Sequence, residues 1–170
     1  MMSFEDIEFT IKIFHKNGLT IDAAQLLMRE FELFHPNFEA FALREAAKPN
    51  YILMTTEGAI GEPQIIRIPE NTFEFSLVLM LNLLAHEMIH VKQKSPELAL
   101  QDRNEREWQA YYEMLFHKEF PLVPDASDYH RKSFANKGLE YYNRMGEGSD
   151  LQLKYAKEKL EVEQLLIKIV

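Results

Sequence analysis

The chain of 170 residues contains no cysteine. That excludes disulfides, thiol catalysis and thiolate metal ligands together, so any metal must be held by histidine and carboxylate. Positive charge is in short supply: 19 Lys and Arg stand against 27 Asp and Glu, a net charge of −8. This acidity argues against a nucleic-acid surface. No long hydrophobic run is present. The longest, Leu77 to Ala85, is interrupted by Asn82 and falls far short of the roughly 20 apolar residues that span a bilayer. The N-terminal Met1-Met2-Ser3-Phe4-Glu5-Asp6 has no basic region and no apolar stretch behind it, which reads against a secretory signal. No internal repeat or low-complexity tract is visible. The expectation is a soluble cytoplasmic protein with no membrane or nucleic-acid partner, its oligomeric state left open.

What is present is an ordinary globular composition, 46% hydrophobic and 27% charged. It suits one domain over residues 1–170 with a substantial core. Within it lies Leu83-Leu84-Ala85-His86-Glu87-Met88-Ile89-His90-Val91, a His-Glu-x-x-His motif inside an apolar run. On a helix, positions i and i+4 share one face about one turn apart, so His86 and His90 can offer two imidazole nitrogens to one ion. Glu87 sits beside them, where a carboxylate can take a proton from a metal-activated water. The bland alternative is two helix histidines with a solvated glutamate between them. The apolar flanks weigh against it, because buried histidines need partners. Leu77, Leu81, Leu84, Met88 and Val91 form the core stripe, and the histidines lie off it. Asn82 and Gln93 stack near them and could support the ligands, or could simply form a polar edge.

The remaining elements follow from periodicity and punctuation. Alternation at Ile7, Phe9, Ile11 and Ile13 favours a strand over 7–13, before an Asn17-Gly18 turn. A helix opens at Thr20 or Asp22 and runs to Phe34; a short helix follows from Phe38 to Ala47. Tyr51–Thr56 and Gln64–Pro69 read as a hairpin, with Pro69 suggesting an edge. An edge strand beside the motif helix could pair with an extended peptide. The motif helix covers about 73–94, capped at Asn71 or Thr72. Further helices are expected at about 97–118, from Tyr129 to Met145 and from Asp150 to Val170.

A catalytic zinc usually takes three protein ligands plus water. Downstream candidates for the third are Glu105, Glu107, Glu113, His117 and His130. A helix returning antiparallel after Ser95-Pro96 would bring residues near 101–108 opposite the histidines, which favours Glu105 or Glu107. Peptide hydrolysis also wants an oxyanion donor, for which Tyr111, Tyr112, Tyr129, His117 and His130 are candidates.

A His-Glu-x-x-His helix followed by Glu on the next helix resembles the gluzincin arrangement of zinc metallopeptidases. Arg106-Glu107-Trp108-Gln109-Ala110-Tyr111 resembles the Glu-x-x-Ala-Asp ligand motif of CAAX-prenyl endopeptidases and their bacterial heat-shock relatives. The resemblance implies Glu107 as the third zinc ligand, beside His86 and His90, and Glu87 as the catalytic base. Ala110 matches the family's small residue; Tyr111 stands where the family has Asp, a residue that supports a zinc histidine. The likeness covers about residues 83–112, and the family's transmembrane helices have no counterpart. Small phage-borne zincin-like proteins share the same look, His-Glu-x-x-His-x-x-Gln in a short chain. The expected fold class is therefore α+β, a mostly helical zincin-like domain with a small antiparallel sheet beside the motif helix. The expected activity is zinc-dependent cleavage of a peptide or protein. The alternatives are a non-catalytic zinc-binding or interaction module, and a hydrolase of some other amide.

Overall fold

The computed structural model describes residues 2–169. It is a mixed α+β fold in which the described residues form seven α-helices and a small three-stranded sheet. Helix α1 spans Phe4–Lys16, opened by the Ser3 hydroxyl accepting from the Asp6 N–H. The strand expected over 7–13 is therefore a helix. Ile7 and Ile11, one turn apart, are its buried face, while Phe9 and Ile13 of the apparent alternation are exposed. Helix α2, Thr20–Glu30, packs against α1 and supplies Ala23, Ala24, Leu26 and Leu27 to the core.

Strand β1 is Phe38–Arg44, where a short helix was expected. Strands β2, Thr55–Glu57, and β3, Gln64–Pro69, form the anticipated hairpin, with the first strand shorter than its sequence suggests. The sheet order is β1-β3-β2, with β1 parallel and β2 antiparallel to β3. The sheet is thus mixed rather than antiparallel, and β3 is central rather than an edge. Pro69 is tolerated there because it is the last residue of the strand, where the ladder passes to the Glu70 N–H bonding the Arg44 carbonyl. Gly58, in the hairpin turn, has φ 148°, and a Cβ there would lie 2.6 Å from the Gln64 amide nitrogen. Glycine is needed at that position because the buried Gln64 amide occupies the space and ties the loop by bonds to the Ala59 and Glu62 carbonyls.

A 3-10 turn, Thr72–Glu74, leads into α3, Leu77–Gln93. Ser76 caps this helix rather than Asn71 or Thr72; the Asn71 amide instead bonds the Ala47 backbone at both N–H and carbonyl. Helix α4, Arg103–Phe116, starts later than expected, capped by Asp102. Gln93 meets Arg106, His86 meets Met114, and Asn82 meets His117, so α3 and α4 run antiparallel. Helix α5 is Asp128–Arg144. The terminal helix is divided at Tyr155 into α6, Asp150–Lys154, and α7, Ala156–Ile169.

Buried side chains form two clusters. One joins α1, α2, the sheet and α3; the other joins Trp108, Met114 and Leu115 of α4 to α5 and α7. Leu79 and Leu83 of α3 pack against both, so α3 lies at the seam. None of the described helices is long and apolar enough to cross a membrane.

Candidate metal centre

Helix α3 is buried along nearly its whole length. Its apolar residues satisfy the two clusters, and the one polar face left over carries His86 and His90. Opposite them α4 presents Glu107. One donor atom from each of the three lies within 4.8 Å of the others, so the trio could hold a metal ion. The two Nε2 atoms are 3.1 Å apart, and a Glu107 carboxylate oxygen is 3.3 Å from His86 Nε2 and 3.6 Å from His90 Nε2.

The outer nitrogens show why this grouping suits a cation. His86 Nδ1 lies 3.2 Å from the Met114 sulfur, which can only accept. His90 Nδ1 lies 2.8 Å from Gln93 Oε1. The Gln93 amide nitrogen donates to the Arg106 carbonyl and to Gln109 Oε1, both at 2.9 Å. The Gln109 amide nitrogen donates to the Tyr155 oxygen at 2.6 Å, and the Tyr155 hydroxyl donates to Glu105 at 2.6 Å. Lys154 donates to the same Glu105 oxygen at 2.8 Å. A carboxylate ends this chain and accepts only, so every bond in it has one polarity, back to an N–H at His90 Nδ1. Both Nδ1 atoms are therefore donors, and both Nε2 lone pairs converge on each other and on a carboxylate. Three acceptors at that spacing require a proton or a metal ion between them.

The electrostatics agree. Burial works to lower the His90 pKa, but the Glu107 hydrogen bond, the Glu87 and Glu107 charges and Gln93 outweigh it and raise the value. Burial pushes Glu107 up, yet its bonds to His86 and His90 and their charges hold it well below the usual carboxylate range. Tyr155 is pushed up to about 12 by burial and by its bond to Glu105, so it stays a donor.

Glu87 lies one residue from His86, buried at 8% exposure. Its carboxylate accepts a 2.6 Å hydrogen bond from the Thr56 hydroxyl of β2. The trio and Glu87 open onto a cleft of about 1360 Å³, walled by residues 50–56 on one side and by α4 and α5 on the other. Strand β2 is the sheet edge that borders it.

The other sequence candidates are occupied elsewhere. Glu105 faces Tyr155 and Lys154, away from the histidines. Glu113 accepts from the N–H groups of Lys118, Glu119 and Phe120 and closes the turn after α4. His117 bonds the Asn82 side-chain oxygen at 2.8 Å and faces Asp125. Asn82 is thus a tie to α4 and to the Pro124 carbonyl rather than a support for the ligands. His130 bonds Ser127, and Tyr112 bonds Glu161. Tyr129 lines the cleft but is 81% exposed. Tyr111 also lines the cleft, with its ring 4.7 Å from that of His86. Burial and the charges of Glu107, Tyr141 and Glu87 raise its pKa, so the phenol keeps its proton.

Sequence reasoning missed Thr56, Met114, Gln109 and Tyr155. None stands at a spacing that ties it to the motif, and only the approach of separate elements brings it there. Comparison of the chain with protein-family models, with curated proteins and with solved structures finds no match.

Proposed function

We propose that the protein is a zinc-dependent peptidase of gluzincin type, with His86, His90 and Glu107 as ligands and Glu87 as general base. The observation that carries this reading is the convergence of two Nε2 lone pairs and one carboxylate, with both Nδ1 atoms committed to other acceptors. Zinc suits two imidazoles and one carboxylate, and three protein ligands facing a cleft are the pattern of a catalytic rather than a closed site. When bound, the ion supplies Lewis acidity to a carbonyl and to a water. Glu87 takes a proton from the attacking water as the C–O bond forms, then delivers it to the amine nitrogen, after which the C–N bond breaks. Thr56 holds the Glu87 carboxylate in place from the sheet edge. We assign the oxyanion donor to the Tyr111 phenol, which keeps its proton and whose ring lies against that of His86. The outer edge of β2 offers unpaired backbone groups to an extended substrate.

A purely structural or interaction role for the trio needs the three ligands and gives no use to Glu87. The test follows from that difference. Glu87→Gln is nearly isosteric and cannot accept the proton. It should retain about one zinc per chain and the wild-type fold while losing peptide hydrolysis by about a hundredfold or more. Wild-type protein that takes up no zinc on reconstitution, or a Glu87→Gln variant that cleaves as fast as wild type, would end the reading.

A further inference from the structure

We propose that the cleft above the trio binds peptides carrying acidic side chains on both sides of the bond to be cut. The proposal rests on the peptidase reading and names the substrate class it would take. Five cationic side chains line the cleft, Lys94, Arg103, Arg106, Lys132 and Lys137, against three carboxylates. In a chain where acidic residues outnumber basic ones 27 to 19, that local excess runs against the whole. The three carboxylates are also spoken for. Glu87 and Glu107 belong to the centre, and Glu140 is bridged by Lys137 and Arg144. Among the described residues, Lys94, Arg103, Arg106 and Lys132 have no carboxylate within 4.0 Å.

The cations flank the centre along the groove. Lys94 caps the C-terminus of α3, one turn past His90, and Arg103 stands one turn before Glu107 on α4. Lys94 and Arg106 feel one another: burial and then the Arg106 charge lower the Lys94 pKa. Helix α5 runs antiparallel to α4. Asn104 bonds the Arg144 carbonyl, and Gly138 lies against Tyr111. Lys132, six residues before Gly138, therefore lies about 9 Å further along, beyond Tyr111. Positive charge thus stands on both sides of the trio along the groove that β2 borders. Lys94 and Arg106 are half-buried and bond only backbone carbonyls, of Gly58 and of Leu100 and Gln101, while Arg103 and Lys132 are exposed; with no carboxylate beside them, all four gain from an anionic ligand that enters a cleft walled by low-dielectric surface. An extended acidic peptide meets both demands, pairing its backbone with β2 and its carboxylates with Arg103 on one side and Lys132 on the other. A nucleic acid would satisfy the charge and leave the strand edge unpaired.

The test uses zinc-loaded full-length protein and two labelled peptide pools of equal length. Both have the same random central residues, flanked in one pool by Asp and Glu and in the other by Lys and Arg. Cleavage of the acidic pool should exceed the basic by about tenfold or more in kcat/KM. The ratio should collapse toward one near 1 M salt, where the Debye length is about 3 Å. In an Arg103→Glu/Lys132→Glu variant the ratio should invert, and as a ratio within one protein it is insensitive to partial loss of folded material. Equal cleavage of both pools overturns the substrate inference and leaves the peptidase reading standing. If neither pool is cleaved, anisotropy of the same pools on zinc-loaded Glu87→Gln separates the two. Preferential binding of the acidic pool upholds the inference while the peptidase reading fails, and equal or absent binding overturns it. A single-stranded oligonucleotide that displaces the acidic pool more strongly than an unlabelled acidic peptide also overturns it, in favour of a nucleic-acid occupant.

Discussion

At the scale of single residues, the centre depends as much on what stands behind the ligands as on the ligands. Gln93 is 1% exposed; it accepts from His90 and donates both amide hydrogens, to Arg106 and Gln109. Gln93→Leu should leave His90 free to turn or change tautomer and weaken zinc by about 10- to 100-fold, read by titration against a competing chelator. Glu107→Ala should weaken it far more, because it removes a ligand. Glu105→Ala should do least to zinc and most to stability, because it leaves the buried Tyr155 hydroxyl without its acceptor; a thermal melt of the metal-free protein reads that loss. If Glu105→Ala rather than Glu107→Ala releases the metal, the assignment of the third ligand is misplaced by two residues. The two histidines are also unequal donors. His90 is backed by an amide oxygen and His86 by a thioether, a much weaker acceptor, so His86 carries less electron density at Nε2.

At the scale of elements, sequence periodicity reached the helices whose faces are set locally and failed where pairing is distant. The motif helix, β3 and α5 were legible from apolar stripes and punctuation. Helix α1 was not, because four β-branched or aromatic residues alternate over 7–13, and only packing shows that Phe9, at 67% exposure, takes no part in the core. Strand β1 was not legible as a strand, because its register comes from Gln64–Pro69, more than 20 residues on. The trio was legible because two ligands lie one turn apart and the third on the next helix. The chain behind His90 was not, since Tyr155 is 50 residues from Glu105. One contact between elements offers a sharp check. A Cβ on Gly138 of α5 would stand 3.2 Å from the Tyr111 Cβ on α4. Gly138→Ala should push the two helices apart by a few tenths of an ångström and move Tyr111 against His86. The expected result is a several-fold loss of kcat with zinc content unchanged, measured on protein loaded to about one equivalent.

At the scale of the whole molecule, the proposed centre makes acid and metal competitors for the same place. In the metal-free fold His90 holds its proton more tightly than an ordinary histidine with a value of 6.5. Its contribution to stability is therefore complete below that value and is lost as pH rises through the raised one. Glu107 behaves in the opposite sense, and its contribution is lost only as pH falls through its depressed pKa, deep in acid. In the proposed site zinc would take the place of the His90 proton, so the gap in Tm between loaded and metal-free protein should widen from about pH 6 to pH 8. A gap that narrows over that range, in melts at fixed zinc activity, would count against His90 as a ligand.

The position of α3 between two buried clusters has a consequence for how the chain comes apart. Leu79 and Leu83 are the apolar stitches across that seam, and the trio joins α3 to α4 farther along it. Ala110 of α4 and Phe120 and Val123 after it also enter the first cluster, and an ion at the trio would add a rivet to these contacts. Occupied, the two halves should melt in a single calorimetric event; emptied, the melt should broaden, with the cleft between them losing order first.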